Sequence, residues 1–228
     1  MGSAFFKYCF ILLICLTLGA GSLFAANGFS STTSFQIASL YHKMIGATPD
    51  FEQWALYTDE YKNAQHYDAK IALQEQEIKL KELYYNIFAD EMISIQTSIS
   101  TQEYSEKQEK LFLSTISPDT FFNYHAFGQN YAVIVPGIEK YHEVSLSEEA
   151  IQKFRDTSGL SAVLELTLKP EIADNVEPMI FESEEYWMIL CKLAQIRIWD
   201  NDRQVVLWSE KADWYDNSNT QLLDLFAQ

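Results

Sequence analysis

The side chains that could support nucleophilic or metal chemistry are few: Cys191, the single cysteine outside the N-terminal region, and four histidines, at positions 42, 66, 125 and 142. Zinc sites commonly take two ligands from one helix or turn at close spacing, and no two of these histidines have that spacing. A cysteine nucleophile needs a base beside it, such as His125 or His142. Cys191, however, lies in the apolar segment YWMILCKLA, where burial raises the pKa of a thiol. We therefore expect Cys191 to be a buried packing residue and the histidines to be ordinary structural side chains.

Acidic residues offer a different kind of chemistry, since oxygen ligands suit calcium. Two stretches near the C-terminus carry such ligands, namely Asp200, Asn201 and Asp202, and then Asp213, Asp216, Asn217 and Asn219. Neither matches an EF-hand loop with its glycine and terminal glutamate. Turns require the same residue types, so we interpret both stretches as turns.

Carboxylates could also act in pairs, as in glycosidases, but such pairs cannot be recognised without geometry. The cluster of Glu182, Glu184 and Glu185 is interpreted as a solvated loop before a buried strand. Glycine-rich phosphate-binding motifs are absent from the sequence. The sequence therefore predicts no catalytic, metal-binding or cofactor-binding residue and no cofactor.

Aromatic residues are concentrated in the last quarter of the chain. They are Tyr186, Trp187, Trp199, Trp208, Trp214 and Tyr215. In an uninterrupted strand, Trp187 and Trp199 would share a face with Leu193, opposite to Ala194 and Ile196. Exposed rings on such a face would suit a glycan or a protein partner. The alternative, which we favour, is that helices cover this face and that the rings belong to the core.

The first 26 residues have the order of an export signal. Lys7 is their only charged side chain, the apolar run 8–18 follows it, and the small residues Ala20 and Ser22 suit a signal peptidase. We expect cleavage between Ser22 and Ala26.

An uncleaved membrane anchor is the alternative, because the uncharged stretch 8–26 is just long enough to cross a bilayer core of about 30 Å. Cleavage would remove Cys9 and Cys15 and leave Cys191 alone. The mature chain would then fold without an intramolecular disulfide, as a single globular domain over 27–228.

The chain is strongly acidic, with 16 Lys and Arg against 32 Asp and Glu and a formal charge of -16. Removal of the signal takes Lys7 and leaves 15 basic residues, a charge of -17. Nucleic-acid binding depends on basic side chains that neutralise phosphates, and the sequence has no dense basic run. We therefore exclude a nucleic-acid partner, and anionic lipid surfaces are disfavoured for the same reason.

The first half of the mature chain shows helical periodicity. The positions that repeat at helical spacing are Ile37, Tyr41, Met44 and Ile45. Gly46 predicts a left-handed helix end, and Thr48 is expected to cap a new helix that continues towards residue 88. This is one long helix, or two with a bend near 63–66. Apolar residues recur at seven-residue spacing within 68–88, but this segment is too short to sustain a coiled coil. We therefore expect this helix to pack on its own domain.

The hydrophobic period changes to two at residue 92, which predicts a strand over 92–101 with the run 110–116 as its hairpin partner. Ser117, Pro118 and Asp119 predict the start of a short helix that ends before Gly128. Further strands are expected at 131–135, 162–168, 186–199 and 204–208, with weak helical character at 220–226. A helix is expected at 148–155, capped by Ser145 or Ser147. Residues 200–203 predict a hairpin between the last two strands.

This order of elements predicts an α+β fold, in which the N-terminal helices pack on one face of a mainly antiparallel sheet. The expected function is a non-enzymatic binding or interaction module of the bacterial envelope or extracellular space, with a protein or glycan partner. It would contact the membrane only through an uncleaved N-terminus. Two alternatives stay open: an exported hydrolase that uses a carboxylate pair, and a membrane-tethered structural subunit of an envelope assembly. The second requires an exposed apolar stripe on the helix at 68–88.

Overall fold

The computed structural model describes residues 31–65, 68–99, 104–105, 110–156, 162–200, 203 and 205–215. The helices are α1 (Ser31–Met44), α2 (Phe51–Ala55), α3 (Asp59–Asn63), α4 (Ala69–Tyr85) and α5 (Glu148–Asp156), with a 3-10 helix at Ile138–Tyr141. The strands are β1 (Ile93–Ile99), β2 (Tyr104–Ser105), β3 (Lys110–Phe112), β4 (Phe121–Ala126), β5 (Gln129–Ile134), β6 (Glu143–Ser145), β7 (Ala162–Ala173), β8 (Met179–Phe181), β9 (Glu184–Trp199) and β10 (Val206–Lys211).

Helices and a large, mostly antiparallel sheet are both present, which confirms the predicted α+β class. The expected export signal and the weak helix at 220–226 lie outside the described residues. Within the described ranges, no helix combines the length and the apolar character needed to span a membrane.

Strand β9 organises the larger sheet. β7 pairs antiparallel with it over most of its length, and β1 pairs with β7. On the opposite edge, β5 runs parallel to the first half of β9, and β10 runs antiparallel to its last part. The β9–β10 pairing confirms the predicted hairpin, with Val206 opposite Trp199.

The predicted hairpin between 92–101 and 110–116 is wrong. β1 pairs with β7, and β3 instead pairs with β2 and β6 in a separate three-stranded sheet. The alternation that predicted β1 is correct, because Ile93, Ile95 and Ile99 are buried along one face. The partner of β1 could not be predicted from neighbouring residues, because hydrophobic periodicity identifies a strand but not the strand with which it pairs.

The helix predicted after Ser117 is also wrong, because the chain forms strand β4 there. The hydroxyl of Thr120 accepts the N–H of Ser117 and donates to the carbonyl of Thr115, which closes a turn where a helix was expected. Beyond it, Phe122, Tyr124 and Ala126 are buried alternately, as a strand requires.

The helical predictions differ from the structure mainly at their ends. Gly46 does end α1 in a left-handed conformation, at φ 69°. The cap of α2 is Asp50 and not Thr48, because its carboxylate accepts the N–H of Gln53 at 3.0 Å. The described residues of 48–88 form three separate helices, with a new cap at Thr58 that accepts the N–H of Tyr61.

Contacts between aromatic rings join the first two helices to the sheet. The ring of Tyr41 on α1 lies 5.4 Å from that of Tyr131 on β5 and 5.8 Å from that of Trp187 on β9. The Trp54 ring of α2 stacks on Phe127 at a centroid distance of 4.1 Å. Such ring pairs add stability beyond the apolar area that they bury.

The two-residue turn between β4 and β5 consists of Phe127 and Gly128, both with positive φ, at 51° and 77°. This is the turn type that matches the twist of a hairpin. A Cβ at position 128 would overlap the hydroxyl end of the Tyr57 side chain, whereas a Cβ at Gly46 would meet open space.

We therefore expect Gly128→Ala to destabilise the protein more than Gly46→Ala. Both substitutions introduce left-handed strain of about 1–2 kcal/mol, and only the first must also displace Tyr57. Urea unfolding of the two variants measures the difference. Equal losses would show that the contact with Tyr57 has no energetic role.

Candidate functional site

The sheet contains a crevice where two strands on the same edge of β9 end facing each other. The pairing of β5 stops at Leu190, and the pairing of β10 stops at Gln195, so the carboxyl ends of both strands converge on residues 191–194. Ligand sites in sheets commonly form in a crevice beyond the carboxyl ends of strands. The resulting crevice has a volume of about 480 Å³.

A β-bulge in β9 lies at this crevice. Leu193 is opposite Leu168 and Gln195 is opposite Thr167, so Ala194 is the extra residue. The carbonyl of Ala194 accepts the N–H of Ala212 at 2.9 Å, which joins the bulge to the end of β10. Bulges of this kind redirect side chains and occur often beside functional sites.

The bulge also corrects the expectation that Trp187 and Trp199 share a face. Before it, the odd residues Ile189 and Cys191 are buried; after it, the even residues Ile196 and Ile198 are buried. Trp187 therefore packs against the core, while Trp199 lies on the opposite face. A single inserted residue changes the parity on which the expectation depended.

Lysine side chains gather around the crevice. Lys192 on β9 is directly opposite Lys169 on β7, and both are exposed. Their ammonium groups lie 4.8 and 6.0 Å from the ring centroid of Trp214, and that of Lys211 lies 5.3 Å from the Tyr215 ring. Like charges directly opposite each other destabilise a strand pair, and cation–π contacts offset part of this cost.

A fourth lysine lines the other wall of the crevice, in the 3-10 helix. The hydrogen bond with Tyr141 raises the pKa of Lys140, and its ammonium group lies 3.9 Å from the Glu210 carboxylate. Tyr141 donates to Glu210 at 2.7 Å. Glu210 and Asp213 supply the carboxylates that line the crevice, beside Lys140, Lys192 and Lys211.

We name this site, formed by Lys140, Lys192, Lys211, Tyr141 and Trp214 with Lys169 at its edge, the lysine crevice. Among the described residues, Lys169, Lys192 and Lys211 form no ion pair. Lysines elsewhere do form pairs, such as Lys79 with Glu60 and Lys153 with Glu149. Carboxylates outnumber cations two to one in this chain, so a group of unpaired ammonium groups indicates a place where an external anion is favoured.

Glu165 is a buried carboxylate on the sheet, 5% exposed, and it lies apart from the crevice lining. Its donors among the described residues are Ser94, Gln96, Arg197, Trp199 and Arg203, at 2.7–3.2 Å. The guanidinium groups of Arg197 and Arg203 also lie over the Trp199 ring. The hydrolase alternative needs a desolvated carboxylate that faces a second one. Glu165 faces two arginines and gives that alternative no support.

The structure describes Cys191 and three of the four histidines. Burial, and then the charge of Glu171, raises the pKa of the Cys191 thiol to about 12, as expected for a packing residue. His125 bonds to Asn130 at 2.8 Å, and His142 bonds to the carbonyl of Ile116. His66 lies outside the described residues. In the part of the chain that the structure describes, no three His, Cys, Asp or Glu side chains are placed to hold a metal ion.

His42 is held between aromatic rings, 5.4 Å from Trp54 and 5.6 Å from Tyr41. Among the described residues, its two ring nitrogens have no hydrogen-bond partner, and burial lowers the pKa of His42 below 6.5. Between pH 6.5 and the lower folded-state pKa, His42 binds a proton in the unfolded chain but not in the folded chain. The stability contributed by neutral His42 is therefore present above pH 6.5 and is lost as the pH falls through the folded-state pKa.

We expect His42→Phe to lose less stability than the wild type between about pH 7.5 and about pH 5. The substitution keeps a ring against Trp54 and removes the ionisable group. Urea unfolding at the two pH values gives the comparison. The same loss in both proteins would contradict a role for His42 in acid sensitivity.

The acidic stretches that could have bound calcium are only partly described. Asp200 accepts the N–H of Val205 through its carboxylate, which is a turn contact as expected. Asp213 lines the lysine crevice. The other members, Asn201, Asp202, Asp216, Asn217 and Asn219, lie outside the described residues. Glu182, Glu184 and Glu185 are all exposed, as predicted, but the loop prediction is wrong for Glu184 and Glu185, because strand β9 begins at Glu184.

The sequence did not indicate the lysines, because they lie on three separate strands and in the 3-10 helix. No short motif links Lys140, Lys169, Lys192 and Lys211, and only the pairing of β7 and β10 with β9 brings three of them together. Trp214 was the member of the site that composition did indicate. Comparison with known proteins adds no further residue: no protein family, curated protein or solved structure matches the chain.

Proposed function

We propose that this protein is an exported binding module of the bacterial envelope or extracellular space, which holds an anionic group of a protein or surface polymer in the lysine crevice. The observation that carries the proposal is that Lys169, Lys192 and Lys211 form no ion pair with any described residue of a strongly acidic chain. An anion placed between these ammonium groups would relieve their mutual repulsion.

Binding fits the crevice better than catalysis. Its walls offer ammonium groups, two carboxylates and the rings of Tyr141 and Trp214, a mixture typical of recognition sites. Cys191 is buried with a raised pKa and cannot serve as a nucleophile. Export rests on the N-terminal segment, and the net charge of -16 favours partners other than nucleic acid.

We also propose that the N-terminal helices form a layer over one face of the sheet and leave the lysine crevice open. Support comes from Tyr41, whose hydroxyl donates to the carbonyl of Asp174 and whose ring contacts Trp187. Among the described residues, α1 to α4 supply none to the crevice lining. A rigid layer of this kind would keep β9 in place while a ligand binds.

The experiment is an affinity capture from the native envelope with three tagged forms of the full-length chain, produced so that N-terminal processing can take place. The wild type and Lys70→Gln, a charge-matched control on α4, should recover the same partner. The double variant Lys192→Gln with Trp214→Ala should lose it. A wild-type protein that remains a clean monomer without a partner, or a crevice variant that keeps its partner, would refute the proposal. The mass of the mature chain, read on the same samples, should exclude Lys7 if export is completed by cleavage.

A second candidate is the membrane-tethered structural subunit, which one observation favours. Ile71, Ile78 and Tyr85 are 55%, 58% and 64% exposed, and their seven-residue spacing gives α4 an apolar stripe. The exposed side chains of Glu75 and Glu82 lie between them along the helix. Glutamates at these positions would repel a second copy of α4, so the stripe suits a partner helix with basic residues.

Membrane fractionation tests this candidate. A tethered subunit should keep Lys7 in its mature mass. The double variant Ile71→Glu with Ile78→Glu should dissociate from the assembly, while its own melting temperature stays equal to that of the wild type. A mature chain that has lost Lys7 would contradict the tether.

A further inference from the structure

We infer that the ligand of the lysine crevice is an acidic saccharide whose rings carry carboxylates, that is, a uronic-acid oligomer or polymer. The inference rests on the proposed binding function and names the chemistry of its ligand. Four features of the site lead to it: the kind of cation, the position of the carboxylates, the aromatic rings and the volume.

The cations of the crevice are lysines, which act as compact point charges. Arginine would be expected where a planar anion is gripped through two parallel bonds, and no arginine lines the crevice. Lys169 and Lys192 lie side by side, and Lys140, whose ammonium group is 3.9 Å from the Glu210 carboxylate, lies on the other wall. A polymer with a carboxylate on each successive unit can pair with several separated ammonium groups. A single small anion can contact only the ammonium groups on one wall of the crevice.

The carboxylates of Glu210 and Asp213 lie among these lysines. They would repel a multiply charged phosphate, which makes a nucleotide or polyphosphate a poor ligand. A carboxylate is also a strong acceptor for hydroxyl groups. Cations and acceptors together therefore suit a ligand with one negative charge and several hydroxyl groups on each unit, which is the composition of a uronic acid.

The aromatic rings and the volume set the size of the bound unit. The Trp214 ring is 38% exposed beside Lys192, and Tyr141 fixes Glu210 from the opposite wall. An indole ring offers an apolar face to the C–H groups of a sugar while its neighbours bind the polar groups. A volume of about 480 Å³ accommodates a ligand of one or two rings and is larger than an inorganic anion needs.

The test is calorimetric titration of the full mature chain with oligogalacturonate, and with the same oligomer methyl-esterified so that its carboxylates are neutral. We expect the acidic oligomer to bind with an affinity that falls as salt is added, and the ester to bind at least about tenfold more weakly. Lys192→Gln and Trp214→Ala should each weaken binding of the acidic oligomer by about tenfold or more. Lys70→Gln removes the same charge from α4 and should leave the affinity unchanged.

Two results would overturn the inference: equal binding of the acidic and esterified oligomers, or an equal loss of affinity in Lys70→Gln and Lys192→Gln. A parallel titration with poly-L-glutamate distinguishes failure of the saccharide inference from failure of the proposed binding function on which it rests. If polyglutamate binds in a Lys192-dependent way and oligogalacturonate does not, the saccharide is wrong and the anion-binding crevice stands. If neither binds and the envelope capture shows no crevice-dependent partner, both fail.

Discussion

Replacement of Glu165 by glutamine is expected to lower the free energy of unfolding by about 2–4 kcal/mol. The carboxylate is almost fully buried and accepts from two guanidinium groups and the Trp199 indole. The neutral amide keeps the shape but leaves Arg197 and Arg203 without their counter-charge. Because the Arg203 side chain is 43% exposed, water compensates part of the loss, which places the value below that of a fully buried pair. Chemical unfolding measures the effect.

Two further variants separate the charge of Glu165 from its neighbours. Trp199→Phe removes the donor at 2.7 Å and keeps an apolar ring, so its cost should be smaller, about 1–2 kcal/mol. Glu149→Gln, at an exposed pair on α5, should change stability little. A Glu165→Gln protein as stable as the wild type would show that the surrounding donors rehydrate without loss.

Truncation of Tyr131 to alanine should cost about 3–5 kcal/mol, the range for removal of a buried aromatic ring. Tyr131 on β5 has no exposed surface, and its ring lies 5.4 Å from that of Tyr41 on α1. The substitution therefore opens a cavity between helix and sheet and also removes a contact that joins them.

Tyr131→Phe is the matched control, because it removes only the hydroxyl that donates to Gln129 at 2.9 Å. Its cost should be about 0.5–1.5 kcal/mol. The melting temperature and the denaturant midpoint should rank the proteins as wild type, then Tyr131→Phe, then Tyr131→Ala. If the two variants were equally destabilised, the hydrogen bond rather than the ring would dominate at this position.

Local patterns predicted those elements whose cause is local. The left-handed end at Gly46, the alternation of β1 and the β9–β10 hairpin were all predicted from neighbouring residues, and the structure contains them. Ser147, one of two predicted caps for α5, accepts the N–H of Ala150.

The failures have identifiable physical causes. Ser117, Pro118 and Asp119 have the composition of a helix start, but the turn bonds of Thr120 lead the chain into a strand. The turn between β8 and β9 has positive φ at Glu182 and Ser183, residue types that do not signal such a turn. Strand partners depend on contacts between distant segments, so periodicity in one segment cannot supply them.

The candidate site was the least predictable part. The lysine crevice depends on two strands that stop on either side of residues 191–194 of β9 and on the bulge at Ala194. No glycine or proline marks that bulge in the sequence. Trp214 alone was indicated, through the concentration of aromatic residues near the end of the chain.

The bulge at Ala194 has an evolutionary consequence. Loss of this one residue would turn Ile196 and Ile198 outward and carry Arg197 and Trp199 towards the apolar interior, because side chains alternate along a strand. The same deletion would withdraw the carbonyl that holds the end of β10 at the lysine crevice. Selection for a chain that folds is therefore enough to keep this residue, and with it the backbone frame of the crevice, as other positions mutate. Its lysines and Trp214 remain free to change within that frame, which gives descendants a fixed cleft whose lining can be altered by point substitution.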